Sequence, residues 1–229
     1  IKDAEILLLT NGRRFSYLPY VKKLKDKNFK NFFIAIPVHG YTPEIHDGIT
    51  KVMGSFQQAV QGINNLLKNN FNVELRIIIH KKNYQSLKEI SLFVKKNFIG
   101  LNRIALIQME IMGNAIKNKK ELLVNFTNVK EHLKEAIELL NPDFEVRLYH
   151  YSLCVLPQEL WSYSWRSLEE RKITFLETCN ACLYKKHCLG IMKTYLVNFG
   201  NEEFIPILKK IKLAETNDQY HPISSVLRG

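Results

Sequence analysis

The first 153 residues of this 229-residue chain contain no cysteine, and the remainder contains all four. Four thiols in a chain long enough to bury its own core exclude a disulfide framework as the main source of stability. Long apolar runs are also missing, since the longest, such as LFVKKNFIGL, are interrupted by lysines; none would span a membrane. No charged-then-apolar leader with a small-residue cleavage site opens the sequence. These absences lead us to expect a soluble, cytoplasmic protein with reduced thiols and no membrane partner. No Gly-x-x-x-x-Gly-Lys loop, Gly-x-Gly-x-x-Gly fingerprint or Gly-x-Ser-x-Gly elbow occurs. Nucleotide hydrolysis, classical dinucleotide binding and α/β-hydrolase chemistry are therefore without support. There is no repeat of solenoid length and no low-complexity tract.

The cysteines that are present stand close together. ETCNACLYKKHCLG sets Cys179, Cys182 and Cys188 at gaps of two and five residues, and Cys154 lies upstream in YSLCVLP. Cysteines this close in a cytosolic chain are more often metal ligands than structural residues, because a turn from Cys179 to Cys182 aims both sulfurs at one centre. Four thiolates satisfy either a tetrahedral zinc ion or an iron-sulfur cluster, and spacing does not choose between them. Lys185, Lys186 and His187 would offset the charge of the thiolates in either case. Cys154 precedes Cys179 by 25 residues, so only folding can bring it in.

The balance of 33 Lys plus Arg against 22 Asp plus Glu gives a formal +11, which favours acidic partners. The lysines are scattered through KKLKDKNFK, HKKN, FVKKNF and KNKKE, however, so they read as a solvated surface and make nucleic acid an unlikely partner. Apolar patterning says more. β-rich runs at EILLLT (5–10), FFIAIPV (32–38), VELRIII (73–79), RIALIQM (103–109) and FEVRLYHY (144–151) alternate with helical periods, which predicts parallel strands in βα units. Phe56, Val60, Ile63 and Leu67 recur at helical spacing, as do Leu133, Ile137 and Leu140. Ser55 with Gln58, Ser86 with Glu89 and Asn128 with Glu131 read as capping boxes at helix starts. After residue 150 no further clear βα unit follows, two tryptophans appear in LWSYSW, and the cysteines begin. This places a boundary between residues 1–150, an α/β domain, and 151–229, a metal-organised extension. Trp161 and Trp165, four apart as on one helix face, would shield the metal or fill a core.

With βα units in front and cysteines behind, the sequence resembles the radical S-adenosylmethionine (radical SAM) enzymes from their third strand onward. ILLLTNGRR resembles their strand ending in Thr-Asn-Gly. PEIHDGITKVMGSFQQAVQGINNLL is similar to the His-Asp, then Gly-Ser-Phe segment of peptide-modifying members, at His46, Asp47, Gly54, Ser55 and Phe56. VELRIIIHKKNYQSL resembles the next strand with its trailing Asn83. LYHYSLCVLPQELWSYSWRSLEERKITFLETCNACLYKKHCLG is most similar to the tail of the maturases associated with His-Xaa-Ser repeat peptides. The resemblance runs from Leu7 to about Gly190.

The resemblance implies a partial (β/α) barrel lacking its first strands, with a cysteine-rich C-terminal extension. It implies that Cys154, Cys179, Cys182 and Cys188 ligate an auxiliary [4Fe-4S] cluster. Family activity is hydrogen abstraction from a ribosomally synthesised peptide by a 5′-deoxyadenosyl radical, with S-adenosylmethionine as cofactor and a possible companion maturase as partner. The chain departs from the pattern in having no Cys-x3-Cys-x2-Cys loop, so alone it is expected to be inactive towards S-adenosylmethionine. Thr50 also stands where many relatives carry an arginine. The simplest expectation is that about a hundred N-terminal residues are absent; a natural cluster-binding remnant is the other.

Four positions are candidates for holding S-adenosylmethionine in the intact enzyme. Asn11 belongs to the Thr-Asn-Gly segment, which could equally be a plain turn. His39 ends a strand, as does His80, at the edge where βα loops assemble sites. Arg76 sits among apolar neighbours, so it either faces an anionic group or pairs with an acid such as Glu74 or Glu110. Glu110 closes RIALIQME and is similarly placed. The reading from another functional class is a non-catalytic zinc module that binds nucleic acid through its basic surface.

Overall fold

A computed structural model describes residues 6–227. Glu5, the first residue of the first expected strand, lies outside the described residues, as does Ile1. Strands β1 (Ile6–Leu9), β2 (Phe32–Pro37), β3 (Asn72–Ile79), β4 (Arg103–Gln108), β5 (Glu145–Tyr149) and β6 (Ser164–Trp165) form one sheet in sequence order. β1 pairs with β2, β2 with β3 and β5 with β6, each in parallel. The helices are α1 (Leu18–Lys25), α2 (Pro43–Thr50), α3 (Ser55–Lys68), α4 (Leu87–Asn97), α5 (Asn114–Lys117), α6 (Lys119–Leu122), α7 (Phe126–Leu140) and α8 (Lys193–Phe199). Helices between successive parallel strands make this an α/β fold, and the five expected strands are all present. The sixth, β6, falls in the region where no further unit was expected; two residues are too short for a periodic signal.

The chain divides into two compact units. One comprises residues up to Ile78 with Ser86–Leu106 and Glu135–Val146; the other comprises Ile79–Gln85, Ile107–Lys134 and everything from Arg147 onward.

In the first unit, Ile34, Ala35 and Ile36 of β2, Leu75 and Ile77 of β3 and Ile104–Leu106 of β4 are buried, as strands covered on both faces require. β1 differs, for all four of its apolar side chains are exposed, from 36% at Leu7 to 61% at Leu9. α3 packs against the turn that follows β1, and Gly62 permits the approach: a Cβ there would lie 2.5 Å from the Gly12 carbonyl oxygen. Gly12 itself has φ +73°, a conformation glycine adopts without strain.

The cap expectations need correction. Gly54, not Ser55, precedes α3, and the Ser55 hydroxyl donates to Asp47 Oδ1 at 2.7 Å. Asp47 also accepts the N–H groups of Gly54 (2.7 Å) and Phe56 (2.8 Å), so a carboxylate from the preceding helix covers the orphan donors. Burial opposes ionisation there, but the hydrogen bonds from Ser55, Phe56 and Gly54 outweigh it and hold the carboxyl below its ordinary range. Ser86 does precede α4, yet its side chain makes no cap bond. α7 begins at Phe126, three residues before the expected box would open it, because Asn125 Oδ1 accepts the Asn128 N–H and Glu203 Oε1 accepts that of Thr127.

In the second unit the chain after β6 forms two small antiparallel pairs: β7 (Ile173–Thr174) with β8 (Ile191–Met192), and β9 (Leu213–Glu215) with β10 (Ile223–Val226). Short 3-10 turns and α8 supply the remaining regular structure there. Among the described residues no helix is long and apolar enough to cross a membrane.

Candidate metal centre

Each cysteine sits in or directly after a 3-10 turn. Cys154 lies within Leu153–Val155, Cys179 within Glu177–Ala181 with Cys182 following it, and Cys188 follows Lys185–His187. Cys154, Cys179, Cys182 and Cys188 all line one small cavity in the second unit, of about 20 Å³. All four are free thiols, half-buried. Their other neighbours are mainly apolar: Phe175, Tyr184, Ile191 and the loop Phe204, Ile205, Pro206 and Ile207.

Two sulfurs receive backbone donors. Gly190 N–H reaches Cys188 Sγ at 3.4 Å, and Ile207 N–H reaches Cys182 Sγ at 3.4 Å. Ile207 also accepts the Leu183 N–H, which fastens its loop beside the cysteines. Burial, followed by the nearby Cys188, Cys179 and Cys182, pushes the Cys154 thiol up to about 12. Burial also raises Cys188, against the amides of Gly190 and Leu153, which lower it. Cys154 therefore holds its proton at neutral pH, and a metal would have to displace it.

The donor set is that of a thiophilic centre, with four sulfurs and no carboxylate in the lining. Among the described residues, however, no three His, Cys, Asp or Glu side chains are grouped as a single metal ion requires. A zinc ion with Zn–S bonds of about 2.3 Å draws its four sulfurs into one tight tetrahedron. A four-iron cluster spreads them over four irons. Sulfurs that share this cavity without such a grouping fit neither arrangement as they stand, so a centre of either kind would require them to move. The cavity, with room for about one water, would have to widen around it.

A larger open groove of about 860 Å³ adjoins this cavity and shares Cys182, Cys188, Phe175 and Lys185 with it. Its lining carries Arg166, Lys185 and Lys186 against Glu169 and Glu170. The expected basic neighbours are only partly committed to the cysteines. Lys185 lines the cavity, whereas Lys186 and His187 turn to Glu215, at 3.5 and 3.0 Å.

The tryptophans do not share a helix face, because the 3-10 turn ends at Tyr163 and Trp165 belongs to β6. Trp161 is 1% exposed and packs on Tyr184 at 5.0 Å. Trp165 stacks on His221 at 4.2 Å under the Arg147 guanidinium.

The cofactor candidates each have a place within their own unit. In the first, Asn11 Oδ1 accepts the Arg13 N–H at 3.2 Å, the mark of a turn. His39 donates its backbone N–H to His46 Nδ1 at 3.2 Å, and the two rings lie 5.3 Å apart. Arg76 takes the ion-pair alternative, its Nε 2.7 Å from Glu74 Oε1. Glu74 is fully buried and also faces Arg103 at 3.4 Å, which in turn reaches Glu145 at 3.1 Å. In the second unit, Glu110 pairs with Lys172 at 3.0 Å. His80 is 2% exposed, and burial, then Lys82, lowers it to about 4. Its backbone N–H bonds Asn83 Oδ1 at 2.9 Å. The four cysteines thus line one cavity without being grouped as a metal ion requires, while Asn11, His39 and Arg76 are engaged by neighbours in sequence and Glu110 by the distant Lys172.

Sequence reasoning missed the Phe204–Ile207 loop and Gly190, whose contributions to the sulfurs are backbone N–H groups and carry no residue signature. No protein-family model matches the chain, and no curated protein matches it.

Proposed function

We propose that this chain is part of a radical SAM peptide maturase and that Cys154, Cys179, Cys182 and Cys188 hold an auxiliary iron-sulfur centre. One observation carries the reading. Cys154, 25 residues from its nearest fellow in sequence, lines the same cavity as the other three. The parallel βα arrangement ahead of the cysteines supports it, as an open portion of a (β/α) barrel would look like this. When bound, such a centre supplies electron transfer or substrate anchoring, while the chain orients it and keeps water away. Phe175, Tyr184, Ile191 and Phe204 form that apolar shell. S-adenosylmethionine and a ribosomally synthesised peptide are the substrates this reading assigns to the intact enzyme, acting beside a companion maturase in the cytoplasm. The Cys-x3-Cys-x2-Cys ligands of the catalytic cluster are not in this sequence, so the chain alone leaves S-adenosylmethionine intact.

The zinc-module alternative rests on the +11 charge. Anaerobic reconstitution with iron and sulfide, followed by iron, zinc and acid-labile sulfide analysis, separates the two. The maturase reading expects a brown protein with bound sulfide, no zinc requirement and no 5′-deoxyadenosine from added S-adenosylmethionine. One zinc per chain with no sulfide, together with duplex DNA binding that weakens steeply with salt, would establish the alternative.

A further inference from the structure

Cys154 has the longest way to come, and the fold delivers it through two small turns tied by one hydrogen bond. Ser152 immediately precedes the Leu153–Val155 turn that carries Cys154. Its hydroxyl donates to the Gly190 carbonyl oxygen at 2.6 Å, in a buried position where Ser152 is 2% exposed. Gly190 follows Cys188 by two residues and places its own N–H on the Cys188 sulfur at 3.4 Å. The Leu153 amide also acts on that sulfur. Gly190 has little freedom to be anything else. Its φ is +93°, and a Cβ would stand 3.1 Å from Ile173 Cδ1 and 3.3 Å from both Phe175 Cζ and the Thr174 carbonyl oxygen.

We propose that Ser152 is a positioning residue whose bond to Gly190 docks the Cys154 turn onto the Cys188 turn, and so admits Cys154 to the cysteine centre. The docking is a property of the folded chain; only its consequence for a cluster rests on the iron-sulfur reading. Removing the hydroxyl leaves a buried carbonyl without its donor, a loss large relative to a single hydrogen bond's net worth. The local opening of the turn should therefore become more frequent without global unfolding.

The test is the alkylation rate of each cysteine by iodoacetamide under reducing conditions, resolved by peptide mass mapping, in the wild-type chain, S152A and G190A. In S152A, Cys154 should react about tenfold faster, while Cys179 and Cys182 keep their wild-type rates. G190A should release the same turn from the other side. Unchanged Cys154 reactivity in S152A overturns the proposal. A uniform rise at all four cysteines in both variants also overturns it, since that marks general loosening. Reconstitution with iron and sulfide adds a second readout, the electron paramagnetic resonance signature of a three-iron centre in S152A where the wild type gives a four-iron one. If the wild type takes up no iron while S152A still frees Cys154 selectively, the docking stands and the iron-sulfur reading fails.

Discussion

Glu74 shows how a single residue settles a question that sequence left open. A charged residue inside VELRIII has either a ligand or a partner, and the fold supplies the partner: Arg76 and Arg103 flank a carboxylate with no exposure. Breaking such a pair costs more than forming it contributes, because the remaining charges stay buried. Glu74→Gln should therefore destabilise the protein by roughly 3 kcal/mol, read as a lower urea midpoint at unchanged slope. His80 gives a second residue-scale expectation. Its folded pKa of about 4 lies below the ordinary value, so between pH 6.5 and 4 the unfolded chain binds the proton and the folded chain does not. Stability from this group is intact above pH 6.5 and falls as pH drops through that window, by about 3 kcal/mol in all. His80→Asn should flatten this part of the stability profile in denaturant titrations at pH 7, 6, 5 and 4.5. An equal slope in both proteins would assign the loss to other groups.

Among the elements, β1 to β5 were legible in the sequence because each lies in a short stretch rich in apolar, β-prone residues, and helical periods separate most of these stretches. β6 was not, since a strand of two residues carries no period, and the 3-10 turns around the cysteines carry none either. Helix starts were legible in position more than in device. The residues read as a cap at Ser55 are held instead by Asp47 from seven to nine positions away, a tertiary contact that local spacing does not reveal. β1 remains the exception among the strands, with Ile6, Leu7, Leu8 and Leu9 exposed at the sheet edge. An apolar edge of this kind pairs readily with other chains. Leu8→Lys should reduce concentration-dependent association, measured by light scattering, with little change in the thermal midpoint. At the other side of the same turn, Gly62→Ala should destabilise the first unit by about 1–3 kcal/mol, because its methyl group meets the Gly12 carbonyl at 2.5 Å.

For the molecule as a whole, the cysteine spacing pointed to residues that line one cavity but not to how the chain brings them there. Cys179, Cys182 and Cys188 were legible as a group from their gaps. Cys154 lines the same cavity through tertiary contacts, among them the Ser152–Gly190 bond beside its turn. The loop at Phe204–Ile207 completes the cavity through a backbone N–H. The central claim is that these four sulfurs serve one iron-sulfur centre, and native mass spectrometry of the anaerobically reconstituted chain tests it most directly. The wild-type mass should increase by four irons and four sulfides, and Cys154→Ser and Cys182→Ser should each fall short of that complement. A wild-type mass carrying a single zinc, or a Cys154→Ser chain that keeps all four irons and sulfides, would contradict it.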